Sequence, residues 1–254
     1  LVKAASRPVV LLTKVEAACL ADGIGRGESG KETRLHVTLD RGVGAGVVRG
    51  GAVWRGDSEV CGELGHVCLA PDGDICACGN RGCLETVAGS EAIVRKIQAH
   101  AAPGDALEFG FDRQTLTLDQ VIELAARGYG LAQLAIREAA EAVGRALAPI
   151  LMVLGIRRVV CVGSLVKAGD GLLKPLEAAL RQRCLGPLNR QLEVWAYAGE
   201  ANVYARGAAF AASGRGEHGP AREFRYRASQ LEARLVDAHW RKTAAELLRM
   251  PLAA

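Results

Sequence analysis

One stretch of the sequence, GHVCLAPDGDICACGNRGCLE over residues 65–85, concentrates side chains that can bind metal ions. It holds one histidine and four cysteines, and a glutamate follows the last cysteine by two positions. The histidine and three of the cysteines form a Cys3His set, which fills the tetrahedral coordination of zinc. Its members are His66, Cys76, Cys78 and Cys83. Four protein ligands leave no position for water, so this zinc would be structural; buried free cysteines are the alternative.

The remaining cysteines do not extend this set. Strand-like alternation around Cys61 and Cys68 predicts core positions or spare thiols. Apolar neighbours predict packing positions for the others, which are Cys19, Cys161 and Cys184. Eight cysteines among 254 residues are too few for a secreted disulfide scaffold, so we expect the thiols to be reduced.

The composition is that of a globular chain with a core. Hydrophobic residues make up 50% of the sequence and charged residues 24%, which is enough apolar surface to bury in one or two domains. The net charge of +4 is spread along the chain and favours a solvated surface over nucleic-acid binding. No charged-then-apolar leader or long apolar run is visible, which predicts cytoplasmic localisation and no membrane partner.

The strands and helices that must position these side chains follow from hydrophobic spacing. Strands are predicted over 8–12, 35–39 and 158–162, and a glycine-rich hairpin over 42–54. Helices are predicted over 15–21, 85–101, 118–126, 131–152 and 172–183, the first of them ended by Gly23 and Gly25. Strands that alternate with helices of this length predict an α/β layer fold with covered sheet faces.

The two ends of the chain differ from its centre. The chain begins with Leu1 and enters a strand-like run at once, so we expect an N-terminal portion to be missing. From Ser213 the composition changes to a Ser-Gly-Arg-Gly-Glu-His-Gly-Pro linker, followed by a charged helix with one partly apolar side. The predicted organisation is a core over 1–212, a linker over 213–227 and a helical tail over 228–254.

The segment Gly62-Glu-Leu-Gly-His66, followed by Cys-x-Cys-Gly-Asn-Arg-Gly-Cys-Leu-Glu85, resembles the signature of the ROK family. This family comprises sugar-responsive repressors and sugar kinases built on the actin-like, ribonuclease-H-like ATPase fold. Weaker similarity runs from about Pro8 to about Ala212. The resemblance implies that the chain is mostly the C-terminal lobe of that fold with a zinc-binding loop, and that the N-terminal lobe is largely missing.

The resemblance implies roles for the Cys3His set and for two glutamates. In the family, these histidine and cysteine positions hold a structural zinc. The family's sugar contacts fall here on Glu63, His66 and Glu85. Carboxylates accept hydrogen bonds from hydroxyls strongly, and a zinc-bound imidazole leaves its second ring N–H as a fixed donor. Without the motif, Glu63 would be an ordinary turn residue and Glu85 an acid favoured by a helix dipole.

The position of the family's catalytic base is changed. The kinases carry an Asn-Asp-Ala-Asn segment after a Pro-Val strand, and its aspartate takes the proton from the sugar hydroxyl. The matching segment here is Thr13-Lys14-Val15-Glu16, so Lys14 occupies the place of that aspartate. A protonated ammonium cannot accept the proton, and loss of a general base costs about 10² to 10⁴ in rate. No catalytic residue is therefore predicted.

The nucleotide-binding segments implied by the resemblance are also changed. The turn Asp40-Arg-Gly-Val-Gly-Ala-Gly46 has Asp-Arg where the kinases have Gly-Thr, and Asp40 adds a charge that repels phosphate. Backbone N–H groups of Gly42, Gly44 and Gly46 could form an anion nest, but a plain β-hairpin is the favoured alternative. Gly163-Ser164 stands where the family has successive glycines beneath the adenosine. With the first phosphate motif absent as well, we expect weakened binding of ATP and magnesium.

Two functions from different classes follow, and one is favoured. The favoured function is a sugar-sensing regulator, the effector domain of a transcriptional repressor that has lost phosphoryl transfer. The alternative is an ATP-dependent kinase of the glucokinase or N-acetylhexosamine kinase type, and a degenerate, non-functional fragment is a third reading. The expected partners are a small-molecule sugar, DNA through an N-terminal segment absent from this chain, and further copies in a homo-oligomer.

Overall fold

A mixed β-sheet forms the centre of the described part of the chain. The structure, a computed structural model, describes residues 12–26, 32–58, 60–197 and 203–212. Its strands are β1 (Thr33–Leu39), β2 (Val43–Arg49), β3 (Ala52–Trp54), β4 (Arg158–Val162) and β5 (Glu193–Ala196), in the order β3-β2-β1-β4-β5. β1 pairs with β4, and β4 with β5, in parallel, whereas β1, β2 and β3 pair antiparallel. The strands predicted over 35–39 and 158–162 are confirmed.

The hairpin predicted over 42–54 is formed by β2 and β3. Its two-residue turn consists of Gly50 and Gly51, whose φ angles are 61° and 79°. A type I′ turn needs positive φ at both central positions, which glycine adopts without steric cost. The turn returns the chain as a short edge strand that ends at Trp54, and this side chain is exposed.

Helices cover both faces of the sheet. They are α1 (Lys14–Arg26), α2 (Glu85–Ala88), α3 (Ser90–His100), α4 (Pro103–Phe109), α5 (Leu118–Ala126), α6 (Gly130–Leu154), α7 (Asp170–Arg181), α8 (Gly186–Asn189) and α9 (Val203–Ala212). Short 3-10 turns cover Leu64–His66 and Ser164–Ala168. α6 and α7 cross closely, because a Cβ added to Gly144 would lie 2.6 Å from the Cβ of Ala179.

Alternate residues of the central strands face two separate apolar clusters. Val159 and Cys161 of β4 pack in the larger cluster with α6 and α7, whereas Val160 and Val162 pack with residues of α1 and α9. Successive side chains of a strand point to opposite faces, so one strand contributes to both clusters. The predicted α/β layer fold is confirmed, with the sheet as its middle layer.

Two of the helix predictions need correction. α1 does not end at Gly23 or Gly25 but runs through both to Arg26. An isolated glycine weakens a helix without ending it, and α1 packs on β1, β2 and α9. The helix predicted over 85–101 is divided into α2 and α3 by Gly89, whose backbone is extended. A Cβ there would lie 2.7 Å from the carbonyl oxygen of Arg41, so the chain bends where it passes the end of β1.

Some elements of the structure are not among those predicted from the sequence. They are α4, α8, β5 and α9, which are four to ten residues long. The strand predicted over 8–12 lies outside the described residues except for Leu12, which is not in a strand. The linker over 213–227 and the tail over 228–254 also lie outside them. Within the described ranges, no helix has both the length and the apolar character needed to cross a bilayer.

Candidate functional site

The ligands of the predicted metal set converge in the loop between β3 and α2. One ligand atom from each residue lies within 4.8 Å of those of the other three. The Sγ of Cys76 is 3.5 Å from Nδ1 of His66, and the Sγ of Cys78 is 3.7 Å from that of Cys83. Tetrahedral zinc with Zn–S bonds of about 2.3 Å separates neighbouring sulfurs by about 3.8 Å. The donor set and its spacing therefore fit zinc, and the three cysteines are free thiols.

Tight turns of the loop bring the ligands together. Gly82 has a φ of 65°, and a Cβ there would lie 1.5 Å from the carbonyl oxygen of Ala70. Only glycine allows this contact, because a side chain would overlap the backbone. A hydrogen bond from the N–H of Gly79 to the carbonyl of Cys76, 2.9 Å long, closes the turn that carries the Cys-x-Cys pair. The pair is thereby held beside the third cysteine.

The surroundings of the thiols differ in how they stabilise a thiolate. A hydrogen bond from the backbone N–H of Asn80 is the main cause that lowers the pKa of Cys78 to about 7. Burial raises the pKa of Cys83 to about 12. A zinc ion held here would supply the positive charge that stabilises a buried thiolate, so its binding would be coupled to thiol ionisation.

Of the two glutamates predicted to contact sugar, Glu63 lies beside the imidazole of His66, and Glu85 lies against Gly65, the residue before it. Oε2 of Glu63 lies 3.6 Å from Nε2 of the ring, whereas Nδ1 faces the sulfur of Cys76, so the nitrogen on the side of the cysteines would be the one to hold a metal ion. Glu85 begins α2, and its Oε2 accepts a hydrogen bond from the N–H of Val43 at 3.3 Å. The same oxygen lies against Gly65, where a Cβ would be 3.1 Å away. The three predicted sugar contacts are thus brought together beside the metal cluster, and their role stays a prediction.

The glycines over 42–46 that are predicted for nucleotide binding pack closely against neighbouring side chains in and beside the hairpin. Gly44 and Gly46 lie in β2, where a Cβ on either would lie 2.5 Å from a methyl carbon of Val15 in α1. Neither has the positive φ that an alternating anion nest requires. A Cβ on Gly42 would lie 2.6 Å from Oε2 of Glu85. The geometry is that of the hairpin alternative, and nucleotide binding by these glycines stays a prediction.

Asp40 follows β1 directly and accepts hydrogen bonds from two distant residues. Its Oδ1 accepts the backbone N–H of Ser164 at 2.7 Å and the hydroxyl of the same residue at 2.8 Å. Its Oδ2 accepts the hydroxyl of Tyr204. The Nζ of Lys14 lies 5.6 Å from the centre of the Tyr204 ring. Sequence reasoning misses Tyr204, whose only signal is one aromatic hydroxyl in an alanine-rich segment without a motif.

The cysteines outside the metal set divide by exposure. Cys19, Cys161 and Cys184 are buried, which confirms their predicted packing positions. Cys61 and Cys68 are exposed, so the prediction of core positions is wrong for both, and the spare-thiol alternative describes them. The strand-like alternation misleads at these positions because both residues lie in a loop outside the strands of the sheet.

The wider relationship of the chain follows from its sequence as a whole. Residues 1–214 match the model of the ROK family. The chain belongs to the ROK family. The resemblance carried by residues 62–85 is thereby confirmed, and so is the actin-like α/β fold class.

Relatives of this ROK chain include a repressor and glucokinases. It is 29% identical to the DNA-binding transcriptional repressor Mlc of Escherichia coli K12 over 187 residues, which are 74% of this chain and 46% of Mlc. It is 32% identical to the glucokinase of Halalkalibacterium halodurans over 175 residues, 67% of this chain and 53% of the relative. A ROK family glucokinase from Streptomyces griseus, crystallised with glucose and AMPPNP, has a TM-score of 0.72 at 27% identity, covering 82% of this chain and 69% of the other.

The ROK chain spans about half the length of these two curated relatives. Its identity to a repressor and to a glucokinase is similar, so overall similarity does not choose between the two classes. The choice therefore depends on individual positions, above all on Lys14 and on the residues around Asp40.

Proposed function

We propose that this ROK chain is the sugar-binding effector part of a transcriptional regulator that does not transfer phosphoryl groups. One observation carries the proposal: Lys14 stands where the family's kinases have the aspartate that takes the proton from the sugar hydroxyl. An ammonium group has no lone pair with which to accept a proton, so it cannot act as the general base. The Lys14 side chain instead lies over the ring of Tyr204.

Glu16 is the carboxylate closest in sequence to the changed position, and its contacts argue against its use as a replacement base. Its Oε2 accepts the backbone N–H of Thr13 at 2.8 Å, and its Oε1 accepts from Arg55 at 2.5 Å. The hydroxyl of Thr13 in turn accepts the N–H of Glu16, which is the reciprocal capping of a helix start. Oε2 therefore caps the beginning of α1, and Oε1 pairs this helix with Arg55 in the segment after β3.

Sugar binding in this proposal uses the polar surface beside the metal cluster. Glu63 is 55% exposed, so its carboxylate can accept hydrogen bonds from sugar hydroxyls without leaving the fold. Glu85 lies deeper, against the start of β2. Zinc held by His66 and the three cysteines would keep the imidazole and the loop in place. The zinc would have a structural role, because the four protein ligands complete its coordination.

A sugar kinase is the second candidate function. It is favoured by the similarity to the Streptomyces griseus glucokinase and by the retained Gly-Val-Gly-Ala-Gly segment over 42–46. A kinase would require a base and a phosphate-binding turn that differ from those of the family, since both segments are changed here.

For the whole protein we further propose contact with DNA through a segment outside this chain and assembly into a homo-oligomer. The relative Mlc is named as a DNA-binding repressor, and the region similar to this chain makes up 46% of it. The present chain would then supply the effector site, and the remainder of the regulator would supply the DNA contact.

Isothermal titration calorimetry with hexoses and N-acetylhexosamines, each with and without ATP and magnesium, tests the proposal. We expect at least one sugar to bind equally well in both conditions, with no ADP released in a coupled assay. Sugar-dependent release of ADP would contradict the proposal and support the kinase. Failure of every sugar to bind would support a fragment without retained function. The Glu63→Gln variant is the control: a weaker binding heat in this variant assigns the sugar binding to this site.

A further inference from the structure

Three hydrogen-bond donors converge on one carboxylate at the edge of the sheet. β1 and β4 are parallel neighbours, so Asp40 after β1 and Ser164 after β4 come together at their carboxyl ends. The backbone N–H and the hydroxyl of Ser164 donate to Oδ1 of Asp40, and the hydroxyl of Tyr204 in α9 donates to Oδ2. These three residues are called the Asp40 cluster below.

The cluster fills the space between the two strand ends. Gly163, which follows β4, has a φ of 113°, a conformation that glycine adopts readily and other residues rarely do. A Cβ there would lie 2.6 Å from the carbonyl oxygen of Leu39 and 3.0 Å from Cγ of Asp40. The carboxylate therefore lies directly against the backbone of Gly163 and leaves no room for a further group between them.

Other donors of the turn after β1 are engaged as well. The N–H of Asp40 donates to the carbonyl of Gly42 at 3.1 Å, and that of Val43 donates to a carboxylate on α2. The cation of this turn, Arg41, pairs with Glu91 at 2.7 Å. A nucleotide phosphate needs available N–H donors and positive charge. At this turn it would instead meet the negative carboxylate of Asp40, and the three donors of the Asp40 cluster already donate to that carboxylate. The residues present do not fit a nucleotide phosphate at this turn.

We propose that the Asp40 carboxylate is an internal anion, which takes the hydrogen-bond donors that a phosphate would otherwise use and excludes ATP from this edge of the sheet. Carboxylate and phosphate oxygens accept the same charge-assisted hydrogen bonds. Burial and the neighbouring carboxylate raise the pKa of Tyr204, so its hydroxyl remains a donor at neutral pH. The inference deepens the proposed function and rests on it, because it names the group that stands in for the nucleotide where phosphoryl transfer is absent.

The test replaces the internal anion with an external one in the full chain. Asp40→Gly and Asp40→Ala each leave the three donors without their carboxylate acceptor. Asp57→Ala, which removes an exposed aspartate after β3, is the matched control. Equilibrium dialysis measures the binding of radiolabelled orthophosphate, and then of ATP with magnesium. We expect no saturable binding by the unchanged chain or the control, and saturable phosphate binding by both Asp40 variants at least about tenfold tighter than the detection limit for the unchanged chain.

A second substitution locates the bound phosphate. Tyr204→Phe removes one donor hydroxyl, so in the Asp40→Gly background it should weaken phosphate binding about tenfold. Phosphate binding that this change does not alter would place the ion elsewhere and overturn the proposal. Saturable ATP binding by the unchanged chain would also overturn it, as would folded Asp40 variants that gain no phosphate binding. If an Asp40 variant does not fold in phosphate-free buffer, folding restored by phosphate supports the proposal and its absence overturns it.

Calorimetry with sugars on the same samples separates this inference from the proposed function. A chain that binds no sugar but gains phosphate binding when Asp40 is replaced contradicts the proposed function and supports the internal anion. A chain that binds sugar but gains no phosphate binding contradicts the internal anion and leaves the sensor function standing.

Discussion

The metal cluster and the Asp40 cluster both gather polar side chains at turns, yet they differ in what would complete them. In the metal cluster, the ligand atoms of three thiols and an imidazole lie within 4.8 Å of one another, with two of the sulfurs 3.7 Å apart. Such groups need a cation between them before all can be deprotonated at close range. In the Asp40 cluster, one anionic acceptor meets three donors, so the hydrogen-bonding capacity is satisfied within the chain.

This difference leads us to expect dependence on an external ion at the metal cluster but not at the Asp40 cluster. If the proposed zinc is bound, the loop with Glu63 and His66 needs a metal ion, whereas at the edge of the sheet the donors around Asp40 are satisfied within the chain. The expected behaviour is a chain that loses sugar binding when metal is removed and that is indifferent to ATP.

Among the substitutions that test this difference, removal of a metal ligand should have the largest effect on metal content and sugar binding. Cys83→Ser replaces a fully buried ligand, and structural zinc contributes on the order of 10 kcal/mol to the folding of small zinc domains. We expect metal content to fall from about one equivalent per chain to near none, with loss of sugar binding. Cys68→Ser, which changes an exposed thiol of the same loop, should retain both. Elemental analysis of freshly purified, reduced protein measures the metal content. Absence of metal from the unsubstituted protein would contradict the predicted site.

The packing of α1 on the hairpin predicts the next largest effect. Gly44→Ala should destabilise the fold by about 1–3 kcal/mol, because the new Cβ would lie 2.5 Å from a methyl carbon of Val15. Gly104→Ala, at a position in α4 with no neighbouring atom within 4 Å, should be neutral or slightly stabilising. Urea unfolding of both variants measures the difference. Equal stabilities would mean that packing does not require glycine at position 44, and would favour its predicted role in nucleotide binding.

A smaller effect is expected from the exposed carboxylate beside the imidazole. Glu63→Gln keeps the shape of the side chain but removes its charge, so sugar affinity should fall about tenfold with no change in the free energy of unfolding. Glu108→Gln, at an exposed position of α4, should leave affinity unchanged. Calorimetric titration of both variants checks this. Full affinity in the Glu63 variant would show that the family's contact does not apply at this position.

The smallest effect should come from restoring the family's base alone. Lys14→Asp supplies a carboxylate at the proper position, but the Asp40 cluster still occupies the neighbouring edge, so we expect no ADP release above that of Lys14→Ala. A coupled assay with sugar, ATP and magnesium measures the release. Turnover by the aspartate variant would mean that a nucleotide can bind beside an intact Asp40 cluster, and the account of that edge would be wrong.

The metal set could be predicted from spacing because its members are close in sequence as well as in space. His66 and Cys83 are 17 positions apart, and glycines between them allow the tight turns. Residue type defines the chemistry of such a set, and a short loop limits how far its members can separate. Similar local rules predict the hairpin and the long helix α6. They fail where short loops imitate strand alternation, as at Cys61 and Cys68.

The Asp40 cluster depends on contacts that no local pattern describes. Asp40 is 124 positions from Ser164 and 164 from Tyr204. Its partners are set by the parallel pairing of β1 with β4 and by the packing of α9 on α1. In the sequence Asp40 reads only as a charge that repels phosphate, since the number of residues between two groups does not give their distance once the chain has folded. Residue types and short spacings were enough to identify the metal chemistry and the family, but only the folded sheet shows that this carboxylate already has its donors.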